Sequence, residues 1–226
     1  MARNEFQREL DALRADVVEL GETVLARLRD AVTALTEDDR ELARRVADGD
    51  HDINERYLEL ESACIEVLAL QQPVASDLRF VAASFKILTD LERIADLAAN
   101  LAAYVVSAGG GHEWLPAISV ADLGTTAVEM VADALAAYED AAGERCPAIA
   151  DRDDDLDGRC ERAAQGVIRG LVDRAPADDS AAFVDLFEEG TRRLLVVRDI
   201  ARIGDHAGNI AARTLYMVES DDALIY

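Results

Sequence analysis

Leu70-Gln71-Gln72-Pro73-Val74-Ala75-Ser76 separates two long amphipathic stretches, and its reading decides the fold. Pro73 lacks the N–H that a helix interior needs and disfavours helix in the residue before it, so a helix arriving from the N-terminal side ends near residue 70. Ser76 is a natural cap for the helix that follows. Two helices joined by so short a turn run antiparallel. Polar residues on the two arms are mirrored about Pro73: Asp50 falls opposite Asp96 and Asn54 opposite Glu92, and the members of each i, i+4 pair share a helix face. A second mirror lies near Asp179, setting Asp153 opposite Asp205 and Asp157 opposite Ala201.

Outward from these hairpins the chain repeats itself. Leu20-Gly21-Glu22-Thr23 matches Leu123-Gly124-Thr125-Thr126, and the same offset of 103 carries Asp50 onto Asp153 and Ile53 onto Leu156. Further on the offset becomes 109, carrying Asp90-Leu91-Glu92-Arg93-Ile94-Ala95-Asp96 onto Asp199-Ile200-Ala201-Arg202-Ile203-Gly204-Asp205. The second hairpin is therefore six residues longer, three in each arm, a little under one helical turn. A unit of this length is a duplicated domain, well beyond a solenoid repeat. Spacings of three and four between apolar residues predict helices over about 4–36, 38–70 and 76–107, then 119–143, 147–174 and 179–218. Ala108-Gly109-Gly110-Gly111-His112 is the clearest linker. The expected architecture is all-α: six helices in two pseudo-symmetric three-helix bundles, divided at 1–111 and 112–226.

Aspartates stand where seam residues belong. The stripe of the second helix reads Val46, Asp50, Ile53, Tyr57, Leu60, Cys64, and that of the fifth reads Ile149, Asp153, Leu156, Cys160, Ala163, Val167, with the same steps of four and three. A partly buried carboxylate needs a partner: an arginine, a hydrogen-bond network or a cation. Arg56, Arg93 and Arg202 are the nearby arginines that would make these acids a salt-bridged surface. Facing carboxylates also suit a metal bound through oxygen, such as Mg, Mn, Ca or ferric iron, and disfavour zinc. A ferritin-like di-iron centre needs Glu-x-x-His, and none occurs, because Asp48, Gly109 and Ile203 precede His51, His112 and His206 at that spacing. His206, next to Asp205, is expected to cap a polar edge, the alternatives being to support the acids or to act as an extra ligand. Asp90 and Asp199 point away from the acidic faces on a helix and read as surface acids. Gly21 and Gly124, each inside a helix, suggest close helix approach. No glycine-rich phosphate loop precedes a helix, and no nucleophile stands beside a base, so nothing points to catalysis.

The net charge of −23 comes with 22 arginines and a single lysine, Lys86. Such a surface repels nucleic acid. It suits either a high-salt cytoplasm, where self-repulsion is screened, or a basic partner. The acid-rich composition also means that acidic pairs arise by chance. Cys64, Cys146 and Cys160 form no CxxC pair and are expected to be reduced packing residues. No apolar run approaches the roughly 20 residues of a membrane span, and the charged N-terminus lacks a secretory signal, so a cytosolic protein is expected.

At three places the chain resembles the PhoU family of phosphate-uptake regulators: Leu70-Gln71-Gln72-Pro73-Val74-Ala75-Ser76-Asp77-Leu78-Arg79-Phe80, Asp90 to Asp96, and Arg202-Ile203-Gly204-Asp205-His206-Ala207-Gly208-Asn209-Ile210. The resemblance implies two three-helix bundles and a repeated acidic pair, Glu or Asp followed four residues later by Asp, that binds metal clusters in some members. On this chain the pattern falls on Asp50 and Asn54, Glu92 and Asp96, and Asp153 and Asp157, with Asp205 completing the second site. Asn54 replaces an acid and Ala201 removes one, so the first site is expected to bind Fe, Mn or Mg more tightly. The implied role is non-enzymatic: a homodimeric, cytoplasmic negative regulator contacting the ATP-binding subunit of a phosphate ABC transporter, with a phosphate-sensing histidine kinase as a second partner. A metal-dependent phosphohydrolase, an accessory of a different phosphate carrier and a metal store are the alternatives.

Overall fold

A buried stripe of Leu10, Leu13, Val17, Leu20, Val24, Leu28, Ala31 and Leu35 runs along α1 (Ala2–Glu37). This stripe positions everything else in the first half. The structure, a computed structural model, describes residues 2–49, 51–107, 120–176 and 180–225, without the side chains of Ala2, Arg3 and His51. α1 is followed by α2 (Arg40–Asp48), α3 (His51–Gln71) and α4 (Ser76–Ser107). The second half holds α5 (Val120–Asp140), a short 3-10 turn (Gly143–Arg145), α6 (Cys146–Arg174) and α7 (Ser180–Glu219). There is no strand among the described residues, and the fold is the expected pair of three-helix bundles. One continuous apolar core joins them. The three cysteines are free and buried, and burial pushes their thiols up to about 11, 11 and 12 for Cys64, Cys146 and Cys160, so they pack as small apolar groups.

The continuous helix expected over 38–70 is broken. α2 starts at an Asp39 cap, whose carboxylate accepts from the backbone N–H groups of Glu41 and Leu42 at 3.0 and 2.9 Å. It stops at Gly49, and among the described residues seven α-helices thus fill the six helix positions. The carbonyls freed at the break are taken by Arg27 of α1, which donates to Gly49 O and Val46 O, both at 2.6 Å. In the second half the same offset carries Gly49 onto Arg152, and α6 runs on unbroken. Gly49 itself has φ −89° and ψ 18°, which any residue adopts, and it is the external donor that supports the turn where the sister helix continues.

Gly21 and Gly124 mark close helix approach, as expected. A Cβ on Gly21 would overlap the Leu135 side chain of α5, and one on Gly124 would lie 2.8 Å from Val32 Cγ1 of α1. The offset of 103 carries Gly21 onto Gly124 and Val32 onto Leu135, so the two contacts are one contact seen from both sides of a pseudo-two-fold axis. As residue number rises on α1 it falls on α5, and the two helices are antiparallel. Val32 is β-branched and stiff, with little room to withdraw. Gly124→Val is therefore expected to lower stability by about 1–2 kcal/mol, overpacking outweighing the regained helix propensity. A shift of the urea midpoint at unchanged m-value measures it.

The end of α5 is driven into the first bundle. Tyr138, fully buried, stacks on Phe80 of α4 with ring centroids 6.4 Å apart and planes 11° from parallel. Its hydroxyl meets Ser84 Oγ at 2.7 Å, and Ser84 itself donates to Phe80 O at 2.8 Å. Arg14 of α1 lies over the Phe80 ring, 4.8 Å from its centroid, and donates to Tyr138 O at 2.8 Å. One guanidinium thereby holds three helices and caps the carbonyl end of α5.

Candidate functional site

In the second half the acids meet on the α6–α7 face. Asp153 sits directly against the α7 backbone because Gly204 and Gly208 leave room for it. A Cβ at Gly204 would stand 2.7 Å from Asp153 Oδ1, and one at Gly208 would stand 3.0 Å from Oδ2. Buried Oδ1 has no hydrogen-bond partner. Burial, with the nearby charges of Asp205, Asp157 and Asp154, pushes the Asp153 carboxyl up to about 7. Asp157 is raised by the same causes, burial first and then Asp205 and Asp154. The structure thus brings together Asp153, Asp157 and Asp205, and its electrostatic tension is concentrated on Asp153.

The first acidic face is organised differently. Asp50 lies outside the described residues. Asn54 on α3 is half-buried, and on α4 the Glu92 and Asp96 side chains are 22% and 41% exposed. Arg93 reaches both of these acids, with Nε 3.5 Å from Glu92 and Nη1 3.8 Å from Asp96. Arg56 turns away to Asp16 and Glu59, at 2.8 and 3.0 Å. Among the described residues no three His, Cys, Asp or Glu side chains are gathered closely enough to hold a metal ion as they stand. The donor set of the second face nevertheless fits a cation. It is made of oxygen only, it is crowded with like charge, and one of its buried oxygens lacks any donor.

Two acids expected at the surface are not there. Asp199 is fully buried: Tyr104 of α4 donates its hydroxyl to Oδ2 at 2.9 Å, and Arg198 donates to Oδ1 through Nε and Nη2 at 2.9 and 2.7 Å. Asp90 is 13% exposed and bonds across to α7, at 2.9 Å from His206 Nδ1 and 3.3 Å from Asn209 Nδ2. Both acids do point away from the face of their own bundle. The face they do occupy is the crossing of α4 with α7, where the bundles meet. His206 serves that crossing, one residue from Asp205. The available signal was the recurrence of Asp90 as Asp199 at the repeat offset, since a surface acid has no packing reason to recur.

The PhoU domain model matches this chain twice, over residues 17–105 and 120–214, so the matches keep the two offsets of the internal repeat. The phosphate-specific transport system accessory protein PhoU of Serratia marcescens is 32% identical over 96% of this chain and 86% of its own length. Its counterpart from Escherichia coli K12 is 30% identical over 96% of this chain and 87% of its own. Among solved structures, PhoU from Pseudomonas aeruginosa superposes with a TM-score of 0.87 at 28% identity, covering 96% of this chain and 100% of that one. The phosphate transport system regulatory protein PhoU from Streptococcus pneumoniae gives 0.82 at 28% identity over 96% and 98%. A doubled domain match, full-length relatives and a shared two-bundle fold agree, and the chain belongs to the PhoU family.

Proposed function

We propose that this protein is a non-catalytic accessory of phosphate transport that restrains uptake when phosphate is plentiful. It docks on the ATP-binding subunit of a phosphate ABC transporter and signals to a phosphate-sensing histidine kinase. The observation that supports this reading is similarity over nearly the whole chain to proteins named as accessory or regulatory proteins of phosphate transport. Fold alone would not license it, because one fold hosts many functions. In keeping with peripheral docking, no described helix is long and apolar enough to cross a membrane. The working form is a homodimer in the cytoplasm.

Cations belong to the same proposal. Asp153, Asp157 and Asp205 would hold one on the second face, and Asp50, Asn54, Glu92 and Asp96 one on the first, with Fe, Mn or Mg as candidates. A bound cation supplies positive charge that cancels the repulsion among the carboxylates and fixes the α6–α7 face. We place the tighter site in the second half, reversing the ranking expected from ligand count, because Arg93 already contacts Glu92 and Asp96 while Asp153 Oδ1 is orphaned.

The decisive experiment is deletion of the gene in its source organism, with phosphate uptake measured in phosphate-rich medium. Uptake several-fold above wild type, restored by the full chain in trans, is the expected result. Unchanged uptake, together with hydrolysis of simple phosphate esters by the purified protein, would move the reading to the phosphohydrolase.

A further inference from the structure

Residues 204–209 of α7 are held between the two bundles. On one side Asp153 of α6 lies against the backbone of Gly204 and Gly208, and on the other His206 and Asn209 reach Asp90 of α4. Successive residues of a helix are turned by about 100°, so the two glycines and the pair of His206 and Asn209 stand roughly 150° apart, on nearly opposite faces. Asp205 projects between them. Both polar contacts end on one atom, Asp90 Oδ1, at 2.9 Å from His206 Nδ1 and 3.3 Å from Asn209 Nδ2. The Asp90 and His206 side chains are 13% and 17% exposed, which leaves water little access to their bond.

The sister helix is built otherwise. The offset of 109 carries Gly204, His206 and Gly208 back onto Ala95, Leu97 and Ala99 of α4. Asp199, the counterpart of Asp90, bonds to Tyr104 and Arg198 and not to the turn that matches 204–209. Two glycines four residues apart weaken a helix, and they let Asp153 lie where a methyl group would otherwise stand. Asp153 Oδ1 rests on this turn without a hydrogen bond. When Asp153, Asp157 and Asp205 share a cation, that oxygen gains a partner, and α6 is tied to α7 at its weakened turn. Coupling between sites is carried by packed and hydrogen-bonded side chains on a common element. Here the element is one short stretch of helix, with the acidic face on one side and the bundle crossing on the other.

We propose that residues 204–209 of α7 form a coupling turn, through which cation binding on the α6–α7 face tightens the contact of His206 and Asn209 with Asp90 and so fixes the crossing of the two bundles. The inference rests on the cation reading above, and it adds what the ion does to the rest of the molecule. His206 and Asn209 are positioning residues in this scheme and do not touch the ion.

The test is hydrogen exchange of the full chain, with and without saturating Mn²⁺, in a background of Glu92→Gln and Asp96→Asn that removes both α4 carboxylates of the first face. Exchange in α1 reads the global stabilisation that any ligand of the folded state brings. Slower exchange is expected in α6 around Asp153 and in α7 around Asp205, together with slowing in α4 around Asp90 that exceeds the slowing in α1 by about fivefold, the lower end of ordinary coupling. Adding His206→Leu and Asn209→Ala leaves every remaining carboxylate in place. These substitutions should abolish the excess in α4 while α6 and α7 keep their response and helicity is unchanged. Equal slowing in α1 and α4 of the background chain would overturn the coupling and leave the cation reading in place. Loss of the α6 and α7 response on adding the two substitutions would make His206 a ligand and also overturn it. No response in α6 and α7 of the background chain, with no Mn²⁺ bound, would overturn the cation reading and the coupling together.

Discussion

Tyr138→Ala is expected to lower the unfolding free energy by about 3–5 kcal/mol, the range for truncating a large aromatic in a packed core. The ring is fully buried at the junction of the halves, stacked on Phe80 and capped by Arg14. Removal of the ring opens a cavity and strands a polar cluster. Ser84 keeps its bond to Phe80 O, yet its oxygen loses the donor it had in the Tyr138 hydroxyl, which burial pushes up to about 12 and keeps protonated. Tyr138→Phe separates the two contributions, losing only the hydroxyl and about 1 kcal/mol. Denaturant unfolding of both variants makes the comparison. A loss below about 1 kcal/mol for the alanine variant would mean that the halves do not depend on this junction. A change in m-value would signal that they come apart in separate steps.

Asp153→Asn is expected to stabilise the metal-free protein at pH 8, by roughly 2 kcal/mol. The folded carboxyl holds its proton to about pH 7, whereas the unfolded one releases it near 3.8. Between those values the folded state binds more protons than the unfolded state, so stability falls as pH rises and stays low above pH 7. The full displacement would give about 4 kcal/mol at about 1.4 kcal/mol per pH unit, and half of that is retained because the site is partly exposed. The asparagine keeps the shape without the charge. Its advantage should disappear below about pH 4, where wild type is protonated in both states. Adding Mn²⁺ or Mg²⁺ at pH 8 should raise the Tm of wild type and leave the variant's unchanged, by mass action on the folded state alone. Parallel pH profiles for the two proteins would show that Asp153 is not strained. A cation response surviving in Asp153→Asn would place the ion elsewhere.

Much of the fold was legible in periodicity, because the forces that set it are local. Pro73 stops a helix wherever it stands, and apolar spacings of three and four report a buried face. The duplication was legible as well, and so was close helix approach at Gly21 and Gly124, although the partners, Leu135 and Val32, were not. The break at Gly49 was not. The stripe from Val46 through Asp50 to Ile53 keeps helical spacing across it, and the donor that permits the turn, Arg27, comes from another helix. Asp90 and Asp199 were misjudged for a related reason. A helical wheel drawn for one bundle has an inside and an outside, but here part of the outside is buried against the other bundle. At the acidic faces, sequence gave the pairing of Asp153 with Asp205, while the glycines that admit Asp153 to the α7 backbone became visible only in three dimensions.

The reciprocal contact of Gly21 with Leu135 and of Gly124 with Val32 has the form of a homodimer interface written into a single chain. In a true homodimer every substitution enters twice, so any change tolerated on one side must be tolerated on the other. Covalent fusion lifts that rule. One-sided changes become available: a carboxylate kept at Glu92 and lost at Ala201, a helix broken at Gly49 and continuous at Arg152, and a last helix that starts five residues earlier than its counterpart, where the sequence reading expected three extra residues in each arm. The molecule keeps the mechanical symmetry of a pair while each end is free to be tuned separately.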